Sequence, residues 1–240
     1  MSDLIRYYLT LLTVAISKRI NKKNVVVLYH FENLSEKDLL KEMHLKYLLK
    51  RIILFLRKLE YHSIFIDVGA YIGEYSRELA EISYLTCPIE AHPNNYKILC
   101  NNMANLKASK VIPINYAISN FNGYCYLYIR EETTHSLKRR QRSSGVIKVR
   151  SVTLTSLLYS LVKILNSKPL AVVLKIDIEG AELEALLGLH VCPYPILIIM
   201  IELHGYLNKI LLPLIAILKR FKIILVDNAH ILLVKICHEK

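Results

Sequence analysis

The sequence predicts a doubly wound α/β fold: a mostly parallel sheet with helices on both faces. Three observations carry that expectation. From residue 63 onward, apolar runs of strand length are separated by helical or loop stretches. The runs are near-continuous rather than alternating, as in strands buried on both faces. The last two are separated only by Asp227-Asn228-Ala229, a hairpin spacing that makes the final strand antiparallel.

The elements follow in order. Residues 1–60 hold no Gly and no Pro and are expected to form a mostly helical extension ahead of a domain over 61–240. Leu45, Leu48, Leu49, Ile52, Ile53, Leu56 and Leu59 recur at helical spacing, with Lys46, Lys50, Arg57 and Lys58 between them. Residues 25–31 interrupt with strand character. The extension's expected role is helical packing on the domain; a membrane-surface helix over 4–20 is the alternative. Strands are expected at 64–68, 88–91, 111–118, 171–178, 196–203, 222–226 and 231–236. Helices are expected at 71–82, 94–105, 181–189 and 207–220. Residues 124–129 alternate after Asn122-Gly123 and are expected to form a hairpin with the strand before them.

Composition narrows the class. Of 240 residues, 53% are hydrophobic and 22% charged, enough to bury a core and too apolar for a disordered chain. Seven Gly and seven Pro exclude collagen-like and low-complexity sequences. No apolar run reaches the roughly 18 residues of a membrane span. Residues 4–16 are too short, carry Arg6 and lack a small-residue cleavage site, so no signal peptide is expected. The five cysteines (87, 100, 125, 192 and 237) form no CxxC pair, against a zinc ribbon or a disulfide scaffold. A cytoplasmic protein, or one peripheral at the membrane surface, is the expectation.

The formal charge of +12 is uneven. Residues 1–60 hold twelve basic and six acidic residues, and residues 133–176 hold nine basic and none acidic. Such a segment is either a solvated face or a seat for an anionic partner: an acidic substrate, a lipid head group or nucleic acid. Arg139, Arg140 and Arg142 supply planar forks that suit phosphate and carboxylate.

Residues 64–73 read as a buried strand, a turn with Gly69 and Gly73, and a helix start. Gly69 permits a tight turn and close ligand approach, and Gly73 lets the helix start pack near the sheet. Asp67 at the strand end is costly there without a polar partner. Glu90, twenty-three residues on, ends the next strand, where an acid can accept the two hydroxyls of a ribose. Neither GxGxxG nor GxxxxGK[ST] is present, so a pyrophosphate cradle or P-loop is not expected.

Six stretches now make a resemblance visible. They are Ile66 to Gly73, Ile89-Glu90-Ala91-His92-Pro93, Asn115 to Ser119, Val152-Thr153-Leu154, Lys175 to Glu182 and Ile201-Glu202-Leu203-His204. In order and spacing the chain resembles the FkbM family of S-adenosylmethionine-dependent methyltransferases over residues 64–205. Residues 1–60 lie outside it. The resemblance implies a class I methyltransferase, Rossmann-like fold with a seven-stranded sheet and the last strand antiparallel. It implies that Asp67, Gly69, Ala70, Tyr71 and Gly73 hold the methionine part of S-adenosyl-L-methionine, and that Glu90 binds the ribose. It places Asn115 and Ala117 near the adenine; a strand-capping role is the alternative for Asn115. The family usually has Asn where this chain has Tyr71.

The reacting end is expected at Asp177, Glu179, Glu202 and His204. Charges alternate with apolar residues in the expected strand, so Lys175, Asp177 and Glu179 share one face, and three charges on a buried face must pair or bind something. An ion pair of Lys175 with one of the acids is the plainer reading. Glu202 and His204 end the next strand, and a His oriented by a carboxylate can deprotonate a hydroxyl. The same groups suit a divalent cation, but no spacing demands one and no metal is expected. The reading is an O-methyltransferase acting on a hydroxyl of a small molecule, glycan or glycolipid, with an anionic group met by Arg139, Arg140 and Arg142. Two alternatives stand beside it. One is a nucleic-acid methyltransferase, though no N/D-P-P-Y acceptor motif is present. The other is a non-catalytic membrane-surface protein with a decayed site.

Overall fold

A computed structural model describes residues 42–104, 106, 110–129, 137, 145–165, 170–226 and 229–237. Residues 1–41 of the expected extension lie outside them. The chain starts with helix α1 (Glu42–Lys58), then β1 (His62–Val68), α2 (Glu74–Ala80), β2 (Leu85–Ile89) and α3 (Pro93–Ala104). Three strands follow: β3 (Ala117–Ser119), β4 (Gly123–Ile129) and β5 (Gly145–Thr153). Then come α4 (Leu154–Ile164), β6 (Leu170–Ile176), α5 (Glu182–Leu187), β7 (Ile196–Glu202), α6 (Gly205–Leu218), β8 (Lys222–Val226) and β9 (His230–Ile236).

The main sheet runs β2-β1-β6-β7-β9-β8. β2, β1, β6 and β7 are parallel, and β9 is antiparallel to both its neighbours. Thus the last strand inserts between β7 and β8 and runs against them. Beyond β2 the chain returns at 110–114, where Val111 pairs with Thr86 and Ile114 with Ile89, both parallel. The sheet thus has six strands rather than the expected seven, and this segment only bridges its edge at two points. Pro113 lacks an N–H and keeps that edge irregular.

Two expected elements are corrected here. The run 111–118 is not one strand: it leaves the sheet edge at 114 and its tail becomes β3. Residues 124–129 do not pair with the strand before them. β4 lies antiparallel to β5, which also holds β3, in a separate three-stranded sheet. β5 and α4 were not anticipated. The helix expected from residue 71 starts at Glu74, because Tyr71 and Gly73 hold left-handed conformations.

Parity along the strands divides the core. Ile64, Ile66 and Val68 of β1 face one side with Val172, Leu174 and Ile176 of β6. Phe65, Ala171 and Val173 face the other, where Leu49, Ile52, Ile53 and Leu56 of α1 are buried on them. These α1 positions are three and four apart, the spacing of a single helical face. The same parity carries Asp67 and Lys175, which are register partners, toward the α1 side.

Ile53 is fully buried between α1 and the sheet. Ile53→Ala should destabilise the protein by about 2–5 kcal/mol in urea denaturation. A loss below about 1 kcal/mol would mean that the site collapses freely or that α1 is undocked.

Candidate active site

The turn after β1 fixes the geometry. Gly69 has φ +81°, and a Cβ there would lie 1.8 Å from the carbonyl oxygen of Asp177. Only glycine fits. Gly69 and Ala70 donate their N–H groups to the carbonyl of Ile89 at 3.0 and 2.9 Å, and Asp177 donates to that of Val68 at 3.0 Å. The ends of β2, β1 and β6 are thereby laced together. Gly73 serves packing: a Cβ there would come within 2.6 Å of Met103 Cε on α3.

Tyr71 sits at φ 51° without the freedom of glycine. Its N–H donates to Glu90 Oε2 at 3.0 Å, while Oε1 accepts from His92 N at 2.8 Å. Burial pushes the Glu90 carboxyl up to about 7, against those backbone donors. A carboxylate has about four lone-pair sites, and the backbone donors around Glu90 do not fill them.

A cleft opens over this turn, with Gly69, Tyr71, Glu90, Ala117, Asp177 and Glu179 on its walls. Other residues singled out from the sequence stand behind it. Asp67 is buried and accepts from Ser76 Oγ at 2.8 Å, with Lys175 Nζ 3.7 Å from its other oxygen. Ala70 is buried against Leu99 and Met103. Asn115 donates to the carbonyls of Glu90 and Ala91 at 2.7 and 3.2 Å, so its amide braces the end of β2. Arg139, Arg140 and Arg142 lie outside the described residues; Leu137, just before them, lines the cleft.

The acidic cluster beside the cleft is gathered by loops. β6 stops at Ile176, and Glu179 takes a left-handed turn at φ 53°. Asp177 and Glu179 therefore meet through the loop rather than by strand alternation. Lys175 Nζ lies 3.1 Å from Asp177 Oδ2 and 4.6 Å from the Tyr75 ring centroid. Burial alone would lower the Lys175 ammonium, but Asp67 and Asp177 outweigh it and hold it above its ordinary value.

His204 follows β7 and precedes α6 directly. Its Nδ1 lies 2.9 Å from Glu182 Oε1. Its Nε2 faces Asp177, Glu179 and Glu202 at 3.9, 3.8 and 3.7 Å. The hydrogen bond to Glu182 raises His204 to about 9 despite burial, with the other carboxylates adding to it. A ring held above the ordinary histidine range carries its charge at neutral pH, and the carboxylates of Asp177 and Glu179 line the cleft beside it. Glu202 is raised by burial first and then by Asp177. Donor atoms of Asp177, Glu179 and His204 lie within 4.8 Å of one another, close enough to share a divalent cation.

Glu182 is the residue that sequence reasoning underused. Placed in the first turn of α5, it reads as a partner of the helix dipole. In fact it is fully buried and accepts from Gly180 N at 2.9 Å, from His204, and from Asn208 Nδ2 on α6. A signal was present, since Glu182 closes the Lys175 to Glu182 stretch and a buried acid there needs donors. Asn208 left no such trace.

The raised His204 group adds stability that is complete below its unfolded value near 6.5 and is lost as pH rises through about 9. Titration of the His204 ring by NMR should give a midpoint near 9, falling toward 6.5 in Glu182→Gln. A wild-type midpoint at or below 6.5 would show that Glu182 does not hold the ring.

A search of curated proteins finds no match. Among solved structures, a ribosomal protein L11 methylase from Lactobacillus delbrueckii subsp. bulgaricus is 12% identical, with a TM-score of 0.43 over 81% of this chain and 80% of that one. An rRNA methylase from Streptococcus thermophilus is 13% identical, with a TM-score of 0.43 over 82% and 98%. A SAM-dependent methyltransferase from Aquifex aeolicus is 11% identical, with a TM-score of 0.43 over 82% and 94%. What these proteins act on says nothing of this chain's acceptor. The family described as the methyltransferase FkbM domain matches residues 67–226, from the buried acid of the first turn to the end of β8. The chain belongs to the FkbM family and is an S-adenosylmethionine-dependent methyltransferase.

Proposed function

We propose that the chain methylates a hydroxyl oxygen of a small molecule, glycan or glycolipid bearing an anionic group. The observation that carries this reading is the placement of Asp177 and Glu179 on the wall of the same cleft that the Gly69 turn floors. Glu90 would accept the ribose hydroxyls, Gly69 and Tyr71 would flank the methionine part, and Ala117 would border the adenine. The cofactor supplies an electrophilic methyl group on a sulfonium sulfur. Asp177 or Glu179 takes the proton of the acceptor hydroxyl as the oxygen becomes a nucleophile. His204, charged at neutral pH, holds these carboxylates together and offsets their repulsion. Arg139, Arg140 and Arg142 are assigned the acceptor's anionic group on charge alone.

A second reading has its own observation. On the exposed face of the small sheet, Tyr124 stands opposite Arg150 and Tyr126 opposite Lys148. Lys148 Nζ lies 4.7 Å from the Tyr124 ring centroid. Aromatic rings with cations between them suit stacked bases and phosphates, which favours a nucleic-acid acceptor.

S-adenosylhomocysteine should raise the melting temperature, because it binds the native state alone. Glu90→Ala should weaken its binding by about 1–3 kcal/mol. Wild-type affinity should fall as pH drops below about 7, where Glu90 takes up a proton. Absence of any thermal shift at saturating ligand would remove the basis for these assignments.

For the chemistry, Asp177→Asn should lower turnover by about 10²–10⁴. Cofactor affinity should change little. Acceptors are found by comparing metabolite mass spectra with and without the protein, and turnover is then read on the acceptor found. Unchanged turnover on that acceptor would take the proton-transfer role away from Asp177.

A further inference from the structure

Helix α6 buries one face and leaves an apolar one in solvent. Asn208, Leu212 and Ala216, four residues apart, point into the domain. Tyr206, Leu207, Ile210, Leu214, Ile217 and Leu218 are between 44% and 80% exposed. At about 100° per residue, these six fall within an arc of about 120°. Single exposed apolar residues are ordinary, but a continuous stripe of six marks a contact surface. A solvated helix face would carry charges there instead.

The charge around the stripe selects its occupant. Residues 203–226 contain four basic and no acidic residues. Lys209, Arg220 and Lys222 are exposed. A second copy of the chain would bring another formal charge of +12 against the first. An anionic lipid leaflet would instead be attracted by the same residues. α6 is 14 residues long, about 21 Å at 1.5 Å per residue, too short to cross a bilayer. No described helix is long and apolar enough to do so. With its inner face held by the sheet, α6 can only lie along a surface.

We propose that α6 is a membrane-docking helix, its stripe sunk into the headgroup region of an anionic leaflet with Lys209, Arg220 and Lys222 on lipid phosphates. Docking also narrows the acceptor. α6 begins at Gly205, directly after His204, so its first exposed residues, Tyr206 and Leu207, stand next to the reacting end. An acceptor hydroxyl borne by a lipid head group or a lipid-linked sugar would be presented there. This last step rests on the proposed O-methylation, whereas the docking does not.

The test is flotation of the full chain with phosphatidylcholine vesicles, with and without admixed phosphatidylglycerol. The protein should float with the anionic vesicles and be released by salt. Leu207→Glu with Leu214→Glu should abolish flotation, and changing Lys209, Arg220 or Lys222 to Gln should weaken binding about fivefold per charge removed. Each variant should keep the wild-type thermal shift with S-adenosylhomocysteine, which shows that it is folded and separates docking from methyl transfer. Wild-type protein that ignores anionic vesicles, or variants that float equally well, would overturn the proposal. So would a wild-type dimer in light scattering that Leu214→Glu dissociates, since a second copy would then occupy the stripe.

Discussion

A buried ammonium joins the two halves of the site. Lys175 lies between Asp67 under the Gly69 turn and Asp177 on the cleft wall, with the Tyr75 ring beside it. β1 and β6 are parallel neighbours, and register puts Asp67 beside Lys175. Without the ammonium, two carboxylates would face each other across the strand ends, one of them fully buried. Removing one partner of such a set is expected to cost about 3–5 kcal/mol, more than replacing the whole set by apolar groups. The arrangement makes sense as positioning: it holds Asp177 at a fixed height above Gly69 while leaving its other oxygen toward His204.

Close approach of backbone imposes the next constraint. With the Asp177 carbonyl packed onto Gly69, the chain leaving β6 must turn sharply, and Glu179 takes the left-handed conformation that results. Tyr71 is left-handed as well. For residues with a Cβ each such turn costs on the order of 1–2 kcal/mol. Asparagine, usual in the family at position 71, tolerates this conformation better because its short side chain bonds locally. Here the Tyr71 N–H gains a charged acceptor in Glu90, which offsets part of the strain. Strain held by a hydrogen bond next to a ligand cleft is characteristic of functional turns.

Much of this was legible in the sequence, and the misses have physical reasons. The parallel strands were visible because burial on both faces leaves long apolar runs, such as Leu170 to Leu174 of β6. Gly69 was visible because a tight turn between strand and helix calls for a residue without a Cβ. Glu90 was visible because an acid at the end of a buried strand must meet donors or a ligand. β5 was missed because it alternates, with Val146, Lys148 and Arg150 exposed, and so does not look like the core strands. The run 111–118 was read whole because nothing in its hydropathy marks the passage from one sheet to another. Asp177 and Glu179 come together through a turn, with Lys175 on Asp177 alone, so a period of two does not describe their geometry. Asn208 was invisible because its partner, Glu182, lies twenty-six residues away.

That last contact gives α6 two duties. From its inner face Asn208 donates to Glu182, and Glu182 in turn holds the His204 ring by Nδ1. From its outer face the helix offers the apolar stripe. One rigid rod thus connects the surface to the imidazolium that gathers Asp177, Glu179 and Glu202. Because Asn208 is buried and also reaches the carbonyl of Gly180 at 3.4 Å, α6 cannot shift without disturbing the turn that shapes the cleft wall. Whatever seats the helix therefore also bears on the geometry of the carboxylates. The polar anchor explains why an amide sits on the buried face of an otherwise apolar helix, where a leucine would pack at lower cost but would take a donor away from Glu182.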